Sequence, residues 1–288
     1  MTDVVEAEGG GFVLRTDTRR YVGRVLYDGS AFRGWQDQDP RLRTVQGTMN
    51  KVLRQRFGLD NLHVTGSSRT DHGVHANGQC FHFDLPAAVE VSDFDKFSYT
   101  MNRMLPDDVK IHNVSLAPYN EGGPYFHAIS SATHKHYSYR FSTNAFVPPR
   151  LRRYCTHVWQ PLDMDLLRTC LACFVGTHDF SAFANRIEHT TRSFNPARMS
   201  KFSCRRHIRS ITMQQEEPGV YRIDIVLSSA LYRMVRNIVG TSLLVSTGRM
   251  PLAELRDLLE RHPGRRENPA KSAPPEGLTL ERVYFDHY

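Results

Sequence analysis

Residues 67–79 read Ser67-Ser68-Arg69-Thr70-Asp71-His72-Gly73-Val74-His75-Ala76-Asn77-Gly78-Gln79. One carboxylate, one arginine and two glycines share a short polar stretch. The alternating apolar run Cys80-Phe81-His82-Phe83-Asp84-Leu85 follows at once and predicts a strand. Asp71 therefore belongs to a tight turn that feeds a sheet, where a side chain can face a cleft while its backbone is held. Two readings of Asp71 stand side by side. It can be a turn aspartate bonding its own backbone. It can also be a nucleophile or base, since a nearby arginine such as Arg69 favours the ionised carboxylate that either role requires. His72, His75 and His82 flank the turn, but a metal site built from them is the weaker reading.

The elements that must position this loop follow from periodicity. Tyr21 to Tyr27 read as a strand closed by Asp28-Gly29-Ser30. Val45, Met49, Val52, Leu53 and Phe57 form a helical stripe, with Thr44 as N-cap and Gly58 as stop. Strand 79–85 comes next. A helix starting near Ser92 carries Phe94, Phe97, Met101, Met104 and Leu105, and Pro106 ends it. Val109, Ile111, Val114 and Leu116 mark a strand whose spacing slips once, as at a bulge. Asn120-Glu121-Gly122-Gly123-Pro124 reads as a linker. The same grammar then returns. Tyr137, Tyr139 and Phe141 alternate, and Met164, Leu167, Leu171 and Phe174 make a helical stripe ending at Gly176. Strands are predicted at 206–214 and 220–228, helices over Leu231–Ser246 and Leu252–Arg261, and a last strand over Leu278–Phe285.

The expected fold class is therefore α+β, with two ferredoxin-like, split β-α-β halves whose antiparallel sheets join around a central basic cleft. Residues 1–19 read as a disordered tail, 20–120 as the first half and 125–288 as the second. Stretches 186–204 and 262–276, rich in Arg, Pro, Asn and Ser, read as long loops.

The chain has 288 residues, 40% of them apolar and 23% charged, which suits a globular protein with a real core. No apolar run reaches membrane-span length, and the acidic, glycine-rich start resembles neither a signal nor a transit peptide. A soluble, cytoplasmic protein is expected. The 37 Lys and Arg exceed the 30 Asp and Glu, for a net charge of +7. That excess favours an anionic partner, nucleic acid first. Arg192, Arg198, Arg205, Arg206 and Arg209 form the densest basic stretch and favour phosphate contact. Arg33 and Gln36 stand where they would touch RNA backbone, while Trp35 reads as core. The five cysteines are an odd number at scattered spacings, against a disulfide framework. Cys170-x-x-Cys173 has no second ligand pair and lies in a helical stripe, so it reads as packing rather than zinc. No G-x-G-x-x-G or phosphate-binding P-loop is present.

Beyond these readings, Ser68-Arg69-Thr70-Asp71-His72-Gly73-Val74-His75-Ala76 resembles the G-R-T-D-x-G-V-H-A signature of TruA-type pseudouridine synthases. Seven further blocks are similar to that family in family order. They begin with Tyr27-Asp28-Gly29-Ser30-Ala31-Phe32-Arg33-Gly34-Trp35-Gln36, Thr44-Val45-Gln46-Gly47 and Asn102-Arg103-Met104-Leu105-Pro106. Phe126-His127-Ala128, with Ala132-Thr133 and Tyr137-Ser138-Tyr139, comes next. His178-Asp179-Phe180-Ser181-Ala182-Phe183, Met234-Val235-Arg236-Asn237-Ile238-Val239-Gly240 and Ala273-Pro274-Pro275-Glu276-Gly277-Leu278 complete the set.

The resemblance implies isomerisation of uridine to pseudouridine in tRNA, on the 3′ side of the anticodon stem-loop, by a homodimer with neither metal nor cofactor. Asp71 matches the attacking aspartate, by proton abstraction from the ribose or by covalent bonding. Tyr137 matches the active-site tyrosine and Arg236 the arginine that pairs with the aspartate. Leu278 matches an apolar residue against the extruded base. Arg69, Thr70, His127 and Arg205 join Arg33 and Gln36 as expected substrate contacts. An aromatic or apolar pocket suits this chemistry, because the reacting base must leave its stack. The sequence departs at Ser68, at His72 and at Ile129, which stands where the family carries an arginine. A non-catalytic RNA-binding or ribosome-assembly factor on the same fold is the first rival. A nucleoside hydrolase is the second, and it would need a second carboxylate or a metal that the loop does not offer.

Overall fold

The computed structural model describes residues 5–6, 12–13, 18–118, 125–185 and 203–286. The expected tail lies mostly outside them, as do the Asn120–Pro124 linker and residues 186–202 of the expected loop, with Arg192 and Arg198. Two short strands, Val5–Glu6 and Phe12–Val13, pair antiparallel. The chain divides into two compact units, Met1–Thr133 with Leu280–Tyr288, and His134–Thr279. Both mix helices with a largely antiparallel sheet.

In the first unit the order is strand β1 (Thr18–Tyr27), helix α1 (Val45–Phe57), a two-residue strand Thr65–Gly66, β2 (His75–Pro86), α2 (Phe94–Met104) and β3 (Val109–Leu116). β1 lies between β2 and β3, antiparallel to both. Its residues from Tyr21 to Val25 are all buried, as a central strand covered on both faces requires. The ends of α1 follow the sequence signals. Thr44 accepts from the Gly47 amide, and Gly58 closes the helix in the left-handed region at φ 66°. Asp93, one residue after the expected start, caps α2 by accepting from Lys96 N–H. The spacing slip in β3 is real. The register shifts between the Val22–Ser115 and Arg24–His112 pairs, and Asn113 between them has φ 50°.

The second unit contains β4 (His134–Ser142), α3 (Met164–Ala172), β5 (Gly176–Asp179), β6 (Arg205–Glu217), β7 (Val220–Leu227), α4 (Met234–Ser246) and α5 (Leu252–Arg261). Strand β8 (Leu278–Tyr284) begins here and belongs to the first unit from Leu280 on. The sheet order is β4-β7-β6-β5, antiparallel along that path, and the short strand Thr156–His157 pairs parallel with β4. Tyr137, Tyr139 and Phe141 stand opposite Ile225, Ile223 and Tyr221 on one face. The other face is charged: His136 Nε2 lies 2.6 Å from Asp224 Oδ1, which also accepts from Arg222, and Arg140 pairs with Glu216. Burial raises the Asp224 pKa, but the bonds from His136 and Arg222 outweigh it and hold the carboxyl below its usual range. His136 is thus a half-buried strand residue hydrogen-bonded to Asp224.

Two expectations shift. α4 starts at Met234 rather than Leu231, because Arg233 sits at φ 61° and a left-handed residue cannot continue a right-handed helix. Stretch 262–276 is not bare loop. It holds short 3₁₀ turns at Arg265–Glu267 and Pro275–Gly277, and buried Asn268 donates to Ala182 O and Thr241 Oγ1. Among the described residues no helix is long and apolar enough to cross a membrane.

Candidate active site

The Asp71 loop is moulded by the segment that follows β1. Tyr27, the last residue of β1, places its hydroxyl 2.7 Å from Thr70 Oγ1. Trp35 N–H donates to Thr70 O at 3.1 Å. Gly34, at φ 97°, lies so close that a Cβ there would come within 2.8 Å of Thr70 O and 3.3 Å of Asp71 C. On the far side Gly29 abuts the Val74 carbonyl, and its N–H donates to His75 Nδ1 at 3.1 Å. Gln79, fully buried, closes the loop's root: its Oε1 accepts from Ser68 N–H at 3.1 Å and its amide donates to Ser68 O. Within the loop Val74 N–H donates to Asp71 O at 3.2 Å, with Gly73 at φ 80°. Asp71 itself is half-buried; Arg69 and His72 are exposed. Glycine at 29 and 34 is a steric requirement, since backbone meets backbone there.

The α1 N-terminus braces the same segment. Gln46, 7% exposed, accepts from Asp37 N–H and donates to Val64 O. Trp35 is buried against Gly66, as core, while Arg33 is exposed and Gln36 half-exposed. Tyr27 and Gln79 escaped the sequence reading because both look like strand interior. A glutamine heading an apolar run was the available signal, since a buried amide must find partners. Tyr27→Phe and Thr70→Val should each lower turnover about tenfold through loss of the bond they share, with the fold retained. Single-turnover rates of the two and of the double variant check it, and the double variant should be no slower than either single one.

The second unit holds Tyr137, Arg236 and Leu278, all nearly buried. Tyr137 lies in mid-β4. Arg236, in the first turn of α4, donates from Nε to Ala273 O at 2.7 Å, and Ala273 N–H donates back to Arg236 O. Gly240 packs against Lys271 and Ala273 backbone, so the helix lies flush with that strap. Tyr139 donates to Pro274 O and shares a 2.8 Å bond with Thr156; burial raises its phenol well above the usual range. Gly277 fits against Tyr139 and the Arg140 carbonyl, and Leu278 starts β8 immediately after.

A family model described as tRNA pseudouridine synthase matches residues 171–286. Over nearly the whole chain the sequence is similar to curated proteins named tRNA pseudouridine synthase A. The one from Geobacillus sp. strain WCH70 is 35% identical, covering 94% of this chain and 100% of that protein. The one from Acetivibrio thermocellus is 34% identical, covering 91% and 97%. A Protochlamydia amoebophila protein, tRNA pseudouridine synthase A 1, is 31% identical, covering 93% and 96%. The chain belongs to the tRNA pseudouridine synthase A family. The resemblance carried by the eight blocks is borne out.

Other blocks that resemble the tRNA pseudouridine synthase A family have structural work of their own. His127 heads a turn: its Nδ1 accepts from Ile129 N–H at 3.2 Å, and Ser131 N–H returns to His127 O. Its ring meets buried His82 edge-on at 4.8 Å, and His82 Nδ1 accepts from Ala128 N–H. Burial first, then the nearby Arg20, holds both imidazoles low, His82 down to about 2. His82 is therefore neutral when folded and takes up a proton on unfolding below pH 6.5. The first unit should lose up to about 1.4 kcal/mol per pH unit below that value. Melting temperatures of wild type and His82→Gln between pH 7 and 4.5 check this; the variant's pH slope should be the shallower one. Arg205 and Arg209 are exposed on β6, whereas half-buried Arg206 donates to Ser203 O and Arg205 O. Cys170 lies on the buried stripe of α3, where burial pushes its thiol up to about 12, and Cys173 Sγ bonds Thr169 O. Among the described residues no three His, Cys, Asp or Glu cluster as metal ligands.

Proposed function

We propose that this family member isomerises uridine to pseudouridine in tRNA, on the 3′ side of the anticodon stem-loop, with Asp71 as the attacking residue. The observation that carries the reading is the Asp71 loop, an R-T-D turn fixed at Ser68, Thr70, Val74 and His75 by side chains and glycines of neighbouring blocks. Such preorganisation suits a group that must meet one ribose carbon. The names of the similar proteins support tRNA as the substrate.

The reaction balances without oxidant or reductant. The C1′–N1 bond breaks, the uracil turns, C1′ joins C5, and the proton lost from C5 is matched by one gained at N1. Asp71 assists either by taking a ribose proton or by bonding C1′. Arg236 supports the aspartate's charge, as a fixed guanidinium does beside RNA phosphates. Tyr137 and Leu278 give the extruded uracil an aromatic and an apolar surface. Arg33, Gln36, Arg69, Thr70, His127 and Arg205 contact substrate in this reading. Two ferredoxin-like halves belong to it as well; the strand-helix-strand-strand-helix-strand order of the first unit supports that half. A homodimer is part of the same reading.

The test is a tRNA transcript carrying tritium at uracil C5. Wild type should release the label to water, and nearest-neighbour analysis should find it lost from the anticodon arm. RNA binding without release would sink the enzymatic reading in favour of an assembly factor, and free uracil would indicate a hydrolase.

A further inference from the structure

From residue 122 to residue 162 the chain has no Asp or Glu, yet Arg150, Arg152 and Arg153 stand there within four positions. The structure turns part of this stretch into a braced projection of the second unit. Thr143 N–H donates to Gly219 O at 2.8 Å, Asn144 Nδ2 to Pro218 O at 3.0 Å, and Val158 N–H to Ser142 O at 2.9 Å. His157 Nε2 lies 2.8 Å from Asn144 O. Successive turns from Leu151 N–H to Pro148 O and from Tyr154 N–H to Leu151 O shape the tip, and buried Cys155 anchors its return. What this scaffold displays is unusual. Phe146 is 70% exposed, Trp159 72% and Tyr154 40%, interleaved with the three exposed arginines. Trp159 also walls a shallow cleft with Thr143, Gln160, Leu162 and Tyr221 at the root of the loop.

Large rings left in water on a braced loop are costly unless something covers them. Flat rings and guanidinium groups together match one chemistry, the bases and phosphates of RNA. A second copy of this chain fits less well: a two-fold contact would bring the same arginines face to face, with no acidic residue in the stretch to offset them. We propose that the 143–160 loop is a second RNA-binding surface, on which Trp159 and Phe146 stack unpaired bases and Arg150 and Arg152 hold phosphates. This rests on the reading that the substrate is tRNA, and it assigns to the loop the grip on tRNA rather than the chemistry.

The chain has two tryptophans, Trp35 at 2% exposure and Trp159 at 72%, so fluorescence reads the surface directly. Saturating tRNA should quench Trp159 and shield it from acrylamide, and Trp159→Phe should abolish both responses while the Trp35 signal stays unaffected. The double variant Arg150→Glu/Arg152→Glu should bind tRNA at least about tenfold more weakly. Its log Kd against log salt should be shallower by about 1.5, two phosphate contacts' worth. The proposal is overturned if tRNA binds and is turned over while Trp159 keeps its emission and its quencher access. A double variant with wild-type affinity and salt slope overturns it too. A double variant that changes only the sedimentation of the RNA-free protein assigns the loop to contact between copies instead. Absence of both tRNA binding and tritium release in wild type would defeat the parent reading itself, an outcome distinct from these.

Discussion

Asp71→Asn is expected to lower tritium release from C5-labelled tRNA by roughly 10⁴-fold or more, the scale on which an enzyme loses its attacking group. The substitution is nearly isosteric. The turn bond from Val74 N–H is accepted by the backbone oxygen of Asp71, which an asparagine leaves in place. Thr70 stays fixed by Tyr27 and Trp35, and Val74 by Gly29. The loop should therefore keep its shape, and tRNA affinity and melting temperature should move little. That separation distinguishes the two readings of this residue. A turn aspartate would show its loss in stability, and turnover would follow only as far as the fold did. If Asp71→Asn retains even a few per cent of wild-type release, or melts several degrees lower with release reduced in proportion, the catalytic assignment is wrong.

Much of the fold was legible because the local signals agree with one another. Thr44 and Gly58 bound α1 in sequence and in structure, and Leu252–Arg261 forms a helix over the expected span. The slip among Val109, Ile111, Val114 and Leu116 appears as an irregularity at Asn113. The failures have physical causes. A positive φ at Arg233 leaves no trace in apolar spacing, so the spacing alone extends α4 about one turn too far. Asn268 makes an apparent loop into a strap, but its partners Ala182 and Thr241 are distant in sequence and no local pattern foretells them. The chemistry of the Asp71 loop could be read from its residue types. Its scaffold could not, because Tyr27, Gln46 and Gln79 act through tertiary hydrogen bonds to residues distant in sequence. A period-two or helical pattern records which side a residue faces, not what its polar tip finds there.

The glycines of the Asp28-Gly29 and Gly34-Trp35 steps show how tightly that scaffold is drawn, and Gly29→Ala is the variant that tests it. Gly29 does not need its glycine for backbone freedom: among the described glycines, it is not one of those with positive φ. It needs the space, because a Cβ there would overlap the Val74 carbonyl group. The obstacle is backbone, which cannot rotate aside as a side chain can, so either the 28–31 turn or the Gly73–His75 segment must move. Gly29 N–H also donates to His75 Nδ1, so a displaced turn gives up that bond as well. Overpacking of this kind costs about 3 kcal/mol, or roughly 10 °C in melting temperature for a unit of this size. Displacing Val74 carries Asp71 with it, since the two are joined by the turn bond across Gly73. A shift near 1 Å at a reacting group lowers turnover about 100-fold. Gly29→Ala should therefore show both losses at once. Wild-type turnover in a protein that melts 10 °C lower would mean that the 28–31 turn yields and the Asp71 loop does not. The mould would then lie in Tyr27, Trp35 and Gln79 alone.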